Sequence, residues 1–91
     1  MKYSQIIEEC KDIYTELSFT SRWLRIEAFH RVGLLLLENE FPPDKIPSLA
    51  YSLQVKPSDI AKGILLAERY PDLNDLPADK TISWSQIEKY L

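Results

Sequence analysis

The placement of glycine and proline limits this chain to a series of helices. Only two glycines occur in 91 residues, Gly33 and Gly63, and no long stretch alternates apolar and polar residues as a half-buried strand would. The prolines instead fall between, or at the start of, segments whose apolar residues recur every three or four positions. We therefore predict an all-α fold.

Composition predicts one small intracellular domain over residues 1–91. With 45% hydrophobic, 27% charged and 11% aromatic residues, the chain has the make-up of an ordered globular protein. The single cysteine, Cys10, cannot form an internal disulfide and lies in an apolar pattern, which favours a buried hydrophobe over a redox or metal role. The N-terminus lacks a signal-peptide pattern, and the apolar run at 34–37 is far too short for a membrane span. We expect a cytoplasmic protein with no membrane partner.

Apolar periodicity and capping residues predict where the helices begin and end. Proline stops a helix, and a Ser or Thr side chain can cap the first turn of the next one. The predicted helices are the following: about 3–17; from a cap at Thr20 or Ser21 to about Glu40; about 44–53; about 57–70; and a short last helix from the Ser83–Gln86 capping box through Leu91. Residues 72–81 form a polar connection between the last two. Beyond it an apolar stripe predicts that Trp84 packs against the second or fourth helix; its members are Ile82, Trp84, Ile87 and Leu91.

The residue inventory argues against catalysis, cofactors and metal ions. His30 is the one histidine, so a nucleophile elsewhere in the chain has few bases to activate it, and a surface or half-buried structural role is favoured. Two isolated glycines cannot form a phosphate-binding loop. We expect a protein that is not an enzyme, with no catalytic residue, no cofactor and no metal.

Residues 44–70 have the outline of a helix-turn-helix. Ala50 supplies the small residue that lets the two helices cross closely, and apolar residues flank it and the turn. Two positions depart from the usual pattern. Gln54 stands where a glycine commonly adopts a left-handed backbone, a substitution that costs about 1 kcal/mol. Gly63 stands where an apolar side chain usually packs.

A family resemblance covers about residues 20–91. Its most specific part is the run from Tyr70-Pro71-Asp72-Leu73 to Ile82-Ser83-Trp84, and Gly33, Leu36 and Glu38 match a pattern in the preceding helix. These segments resemble the small helical domain N-terminal to YhcG-type nucleases and related phage and archaeal proteins. The resemblance implies a helix-turn-helix that docks on nucleic acid or positions a nuclease.

Charge distribution identifies the segment that we expect to touch DNA. The chain carries a net charge of −3, yet within residues 44–70 four basic residues face three acidic ones. Few phosphate contacts are therefore possible, and an isolated monomer should bind weakly. Arg22 and Arg25 could add contacts, although pairing with Glu27 and carboxylates of the first helix is the favoured alternative. The candidate DNA-binding residues are Lys56, Ser58, Ala61, Lys62, Arg69 and Arg22.

These observations favour a small helix-turn-helix DNA-binding protein, such as a regulator of a phage or other mobile element. The alternative is a helical protein-interaction module, an adaptor or inhibitor, and an exposed Leu65 or Leu66 would favour it. The first two helices also carry abundant apolar residues, including a heptad-like series and Leu34 to Leu37. They predict a homodimer through both helices, and packing in the core of a monomer is the alternative.

Overall fold

The structure of the protein, a computed structural model, describes residues 2–17 and 22–91. Four α-helices make up most of it: α1 (Tyr3–Leu17), α2 (Arg22–Glu38), α3 (Ile46–Leu53) and α4 (Pro57–Arg69). Short 3₁₀ helices occupy Pro43–Lys45, Leu73–Asp75 and Trp84–Tyr90. The described residues contain no strand, and the predicted all-α fold is confirmed.

Most helix boundaries agree with the sequence pattern, and the differences occur at proline. The segment after Pro42 first forms a 3₁₀ turn, so α3 begins at Ile46 rather than at residue 44. Pro47 then falls in the first turn of α3, where its missing N–H has no helical acceptor to lose. The helix α2 ends at Glu38, slightly before the predicted boundary. The predicted cap at Thr20 or Ser21 lies outside the described residues.

The C-terminal segment is helical as predicted, but it is a 3₁₀ helix rather than an α-helix. The Gln86 side chain accepts a hydrogen bond from the Ser83 backbone N–H at 2.9 Å, as the predicted capping box requires. The helix covers Trp84–Tyr90, which is long for a 3₁₀ helix, because such helices seldom exceed about four residues. We call residues 82–91 the C-terminal segment below.

Helix α2 forms the centre of the domain. It contacts α1 on one side and α4 on another, and the C-terminal 3₁₀ helix also packs on it. Such a position suits a helix that is apolar around most of its circumference. Its buried residues are Ile26, Ala28, Phe29, His30, Val32, Gly33 and Leu36.

The two glycines of the chain meet where α2 crosses α4. A Cβ atom added to Gly33 would overlap the backbone carbonyl of Gly63, and one added to Gly63 would lie 2.6 Å from the carbonyl oxygen of Phe29. Both positions have ordinary helical backbones, since neither glycine has a positive φ. Glycine is therefore required here by the close approach of two backbones, which explains the absence of an apolar side chain at residue 63.

Helix α3 packs on α4 and α1 through one apolar face. Ala50 and its neighbour Leu49 are buried, and Leu53 joins them one turn later. The burial of Ala50 agrees with the small residue predicted for this packing. The domain also contains a close backbone crossing of α2 with α4, which the helix-turn-helix pattern did not predict.

The monomer covers much of the apolar surface from which a dimer was predicted. Ile6 and Cys10, two members of the α1 series, are fully buried in the domain core. Leu36 is also buried, while Leu34 and Leu35 are half-buried. Tyr3 and Leu37 are the large apolar side chains that α1 and α2 leave exposed among the described residues. The surface available for a homodimer is thus smaller than the sequence indicated.

Candidate nucleic-acid interface

Residues 54–56 form the tight turn between α3 and α4. Gln54 adopts φ 58° and ψ 42°, the left-handed conformation that glycine commonly supplies at this position. This conformation lets the N–H of Val55 donate to the Ala50 carbonyl at 3.0 Å, which closes the end of α3. Val55 is half-buried against the core. The turn therefore fixes the start of α4 at Pro57.

The solvent-facing surface of α4 consists of six residues, Pro57, Ser58, Ala61, Leu65, Glu68 and Arg69, and four of these form a stripe at helical spacing. Ser58, Ala61, Leu65 and Arg69 are all exposed, whereas Ile60, Gly63, Leu66 and Ala67 face the core. We call the first four the outer stripe. Three of the predicted DNA-binding residues therefore share one face of the helix that the motif would present to DNA.

The start of α4 combines an exposed cation with a carboxylate that is turned away. Lys56 immediately precedes the helix and is exposed. Asp59 accepts a hydrogen bond from the indole Nε1–H of Trp84 at 3.0 Å and is only partly accessible. Phosphate approaching Ser58 and Ala61 thus meets Lys56 and the positive end of the helix dipole, with the Asp59 side chain to one side.

Lys62 points toward the C-terminal segment and not along the outer stripe. Its ammonium lies 4.5 Å from the centroid of the Trp84 ring and 3.6 Å from a carboxylate oxygen of Glu88. Only 12% of its side chain is accessible. The sequence pattern placed Lys62 among the base-contacting residues, whereas the structure engages it in a cation–π contact and an ion pair.

Trp84 joins the C-terminal segment to both α2 and α4. Its ring stacks on Phe29 of α2, with centroids 4.6 Å apart and planes inclined by 17°. Its Nε1–H is bound by Asp59 of α4. Ile82 and Ile87 are buried on either side of it. The expectation that this apolar stripe docks on the second or fourth helix is confirmed, and Trp84 contacts both.

Arg22 and Arg25 lie beside the same C-terminal segment. Both are exposed, and with Ser83, Trp84 and Ser85 they line an open groove. The Arg25 guanidinium also lies 5.9 Å from the centroid of Phe29. Among the described side chains, those of residues 2–14 and 22–91, the ion pairs are Lys11–Glu8 and Lys62–Glu88, so the favoured pairing of these arginines with carboxylates is not observed there.

His30 and Cys10 are buried in the core and away from this surface. His30 is more deeply buried than predicted, and its Nε2 donates to the Tyr70 carbonyl at 2.6 Å, which ties α2 to the end of α4. Burial raises the pKa of the Cys10 thiol to about 12, with a smaller contribution from the charge of Glu9. The thiol is therefore protonated at neutral pH, as expected of a buried hydrophobe.

Two exposed apolar side chains lie on the helix-turn-helix itself. Leu65 is 48% exposed at the middle of the outer stripe, while its neighbour Leu66 is fully buried. Tyr51 on α3 is 87% exposed. Within the described ranges, every helix falls short of the length and apolarity that a bilayer crossing requires.

Comparison with known proteins gives one partial similarity. Over 70 residues, which cover 76% of this chain, the sequence is 33% identical to spindle pole body component 110 of Lachancea thermotolerans. The matched region spans only 8% of the length of that protein. The chain matches no protein-family model and no solved structure.

Proposed function

We propose that this domain is a helix-turn-helix module that binds duplex DNA, with the first two turns of α4 entering the major groove. The observation that carries the proposal is the outward face at the start of α4. Lys56, Ser58 and Ala61 are exposed there, while the Asp59 carboxylate is held to one side by Trp84. Helix-turn-helix proteins place the N-terminal residues of the second helix against base edges, which matches this arrangement. The resemblance to the N-terminal domain of YhcG-type nucleases points to the same use.

The side chains divide between base and phosphate contacts by their chemistry. The Ser58 hydroxyl can hydrogen-bond a base edge, and the Ala61 methyl can pack against the methyl group of thymine. Lys56, Arg69 and Arg22 are the exposed cations that would neutralise phosphates. Lys62 instead contacts Trp84 and Glu88, so it stabilises the packing of α4 and is not among the proposed DNA contacts.

Because a monomer offers few cations, we expect weak binding with a marked salt dependence. A homodimer would double the contacts by placing two recognition helices about one turn of DNA apart. The dimer through α1 and α2 stays a prediction, for which Tyr3 and Leu37 are the available exposed apolar residues. Sedimentation at high concentration tests it, and a single 10.6 kDa species would contradict it.

Fluorescence anisotropy with a random-sequence duplex at several salt concentrations tests the proposal. The wild type should bind, and its logarithmic salt slope should fall by about 0.9 per monomer in Lys56→Ala. Lys62→Ala is the matched control, because it removes the same charge from a residue outside the proposed contacts and should leave the slope unchanged. The absence of salt-dependent binding to any duplex would contradict the proposal.

A protein-interaction module is the second candidate, and the exposure of Leu65 and Tyr51 favours it. The name of the partly similar Lachancea thermotolerans protein, a component of the spindle pole body, is also consistent with a protein partner. The same titration separates the two candidates, since such a module gives no salt-dependent signal with duplex DNA. Neither candidate is an enzyme, and the buried hydrogen bond of His30 supports that choice because it keeps the imidazole away from the surface.

A further inference from the structure

We infer that the start of α2 and the C-terminal segment form a second phosphate-binding surface, which contacts the DNA backbone beside the groove that α4 enters. This inference rests on the proposed function and extends it from the single contact at Arg22 to a surface built from two segments. The surface consists of Arg22 and Arg25 on α2 with Ser83 and Ser85 on the C-terminal segment.

The chemistry of this surface suits phosphate. Arginine donates several hydrogen bonds in a planar fork that matches phosphate oxygens, and serine hydroxyls are common phosphate donors in protein–DNA complexes. Arg22 and Arg25 form no ion pair with any described side chain of residues 2–14 or 22–91, so their charge is not already neutralised by those residues. The Oγ atoms of Ser83 and Ser85 lie 3.1 Å apart and on the same groove, which brings two hydroxyls beside the two guanidinium groups.

A second groove extends the positive charge on the other side of Arg22. It is lined by Arg22 together with Lys89, Gln86 and Thr81 from the C-terminal half of the chain. The one carboxylate on this groove belongs to Asp79, and one of its oxygens already accepts the Thr81 backbone N–H at 3.1 Å. The two adjacent grooves therefore carry three cations and one carboxylate.

The C-terminal segment connects this surface physically to α4. Trp84 lines the Arg22–Arg25 groove and also donates to Asp59 in the first turn of α4. Phe29 beneath it contacts both the Trp84 ring and the Arg25 guanidinium. The arginines are thus held on the Asp59 side of α4. A B-DNA major groove is about 12 Å wide and is bordered by a phosphate strand on each side. When α4 lies in the groove, a surface beside α4 can therefore contact one of these strands.

The test removes both arginine charges from the full chain and measures the salt slope of duplex binding. In Arg22→Gln with Arg25→Gln, the slope should fall by about 1.8 per monomer, from two lost contacts of about 0.9 each. Preference among duplex sequences should be unchanged, because phosphate contacts carry no base information. Arg22→Lys with Arg25→Lys should keep the wild-type slope, since it keeps both charges.

A matched control removes two positive charges elsewhere. Arg31→Gln with Lys2→Gln changes the net charge equally, and both residues are exposed away from the two grooves. Its slope should remain close to that of the wild type, and thermal melting should show that every variant is folded. Equal slopes for the Arg22–Arg25 variant and the wild type would overturn this inference while leaving DNA binding by α4 intact. Equal losses in the variant and the control would also overturn it, because net charge alone would then explain the effect. A wild type that binds no duplex would overturn the proposed function and this surface together.

Discussion

Helix α4 is held by its crossing with α2 and by the turn that joins it to α3, and these two contacts differ in their use of glycine. Where it crosses α2, glycine occupies both contacting positions, and the two backbones touch with no side chain between them. Where it is joined to α3, the left-handed residue of the turn is Gln54, although glycine would adopt that conformation at less cost. The two glycines therefore occur at the crossing, where any Cβ would collide, and not at the turn, where a side chain is tolerated.

This difference shows which contact determines the position of α4. A left-handed glutamine costs about 1 kcal/mol, which a folded domain can bear. A collision between helix backbones cannot be relieved by rotating a side chain, so one helix would have to move. The packing of α2 on α4 thus determines how the outer stripe faces solvent, while the turn mainly sets where α4 begins.

The largest expected loss of stability comes from disrupting the backbone contact between α2 and α4. Gly33→Ala should destabilise the domain by about 3 kcal/mol or more, because the new Cβ meets the backbone carbonyl of Gly63. The gain in helix propensity from alanine, about 1 kcal/mol, offsets only part of this loss. Urea denaturation of the variant and the wild type measures the difference.

Ala61→Gly is the control for that experiment, since it exchanges the same two residue types at an exposed position of α4. It should cost only about 1 kcal/mol through helix propensity. If Gly33→Ala proves neutral or stabilising, the two helices are not in backbone contact at Gly63.

A smaller loss is expected on the α3 side of the domain. Ala50→Leu adds volume at a buried site and should destabilise by about 1–3 kcal/mol through overpacking. Thermal melting of Ala50→Leu beside Ser48→Leu, an exposed change on the same helix, isolates the effect of burial. Unchanged stability of the Ala50 variant would mean that α3 packs loosely on its neighbours.

Trp84→Phe tests the support that the C-terminal segment gives to the crossing. The substitution keeps an aromatic ring against Phe29 but removes the hydrogen bond to Asp59, and we expect a loss of about 1–2 kcal/mol. Asp59→Asn keeps an acceptor for the indole and should cost less. Equal losses in both variants would show that the negative charge of Asp59, and not the bond geometry, is what matters.

The smallest change in stability, and the only increase, is expected at Gln54 in the turn between α3 and α4. Gln54→Gly should stabilise the domain by up to about 1 kcal/mol, because glycine adopts the left-handed conformation without strain. Gln54→Ala retains a Cβ and should give no such gain. A destabilised glycine variant would indicate that the Gln54 side chain makes a contribution larger than the backbone strain.

Local features of this chain could be predicted from sequence, whereas pairings between distant segments could not. The left-handed Gln54, the proline at the start of α3 and the capping of the C-terminal segment each depend on residues within a few positions. The Gly33–Gly63 crossing and the capture of Lys62 by Trp84 join residues far apart in sequence, and periodicity carries no information on such pairs. Helical spacing therefore predicted that Lys62 is exposed for DNA binding, whereas the C-terminal segment covers it.

Helical spacing predicts which face of α4 is exposed, but it does not predict the groove beside that helix. The positions of Ser58, Ala61 and Arg69 follow from helical spacing alone, and the structure places them on one exposed stripe. The groove of Arg22 and Arg25 with Ser83 and Ser85 depends on where the C-terminal segment docks. The apolar stripe around Trp84 predicted that it docks but could not specify the neighbouring arginines.

The most direct test of the account is to map DNA onto the backbone amides of the folded protein. Adding a short duplex at low ionic strength to the ¹⁵N-labelled chain should shift the NMR signals of residues 56, 58 and 61, with further shifts at residues 22 and 25. Signals from α1 around Ile6 and Cys10, which are buried in the core, should stay in place. Shifts confined to the surface of Tyr3 and Leu37, or no shifts at any duplex concentration, would contradict the central claim that α4 presents its outer stripe to DNA.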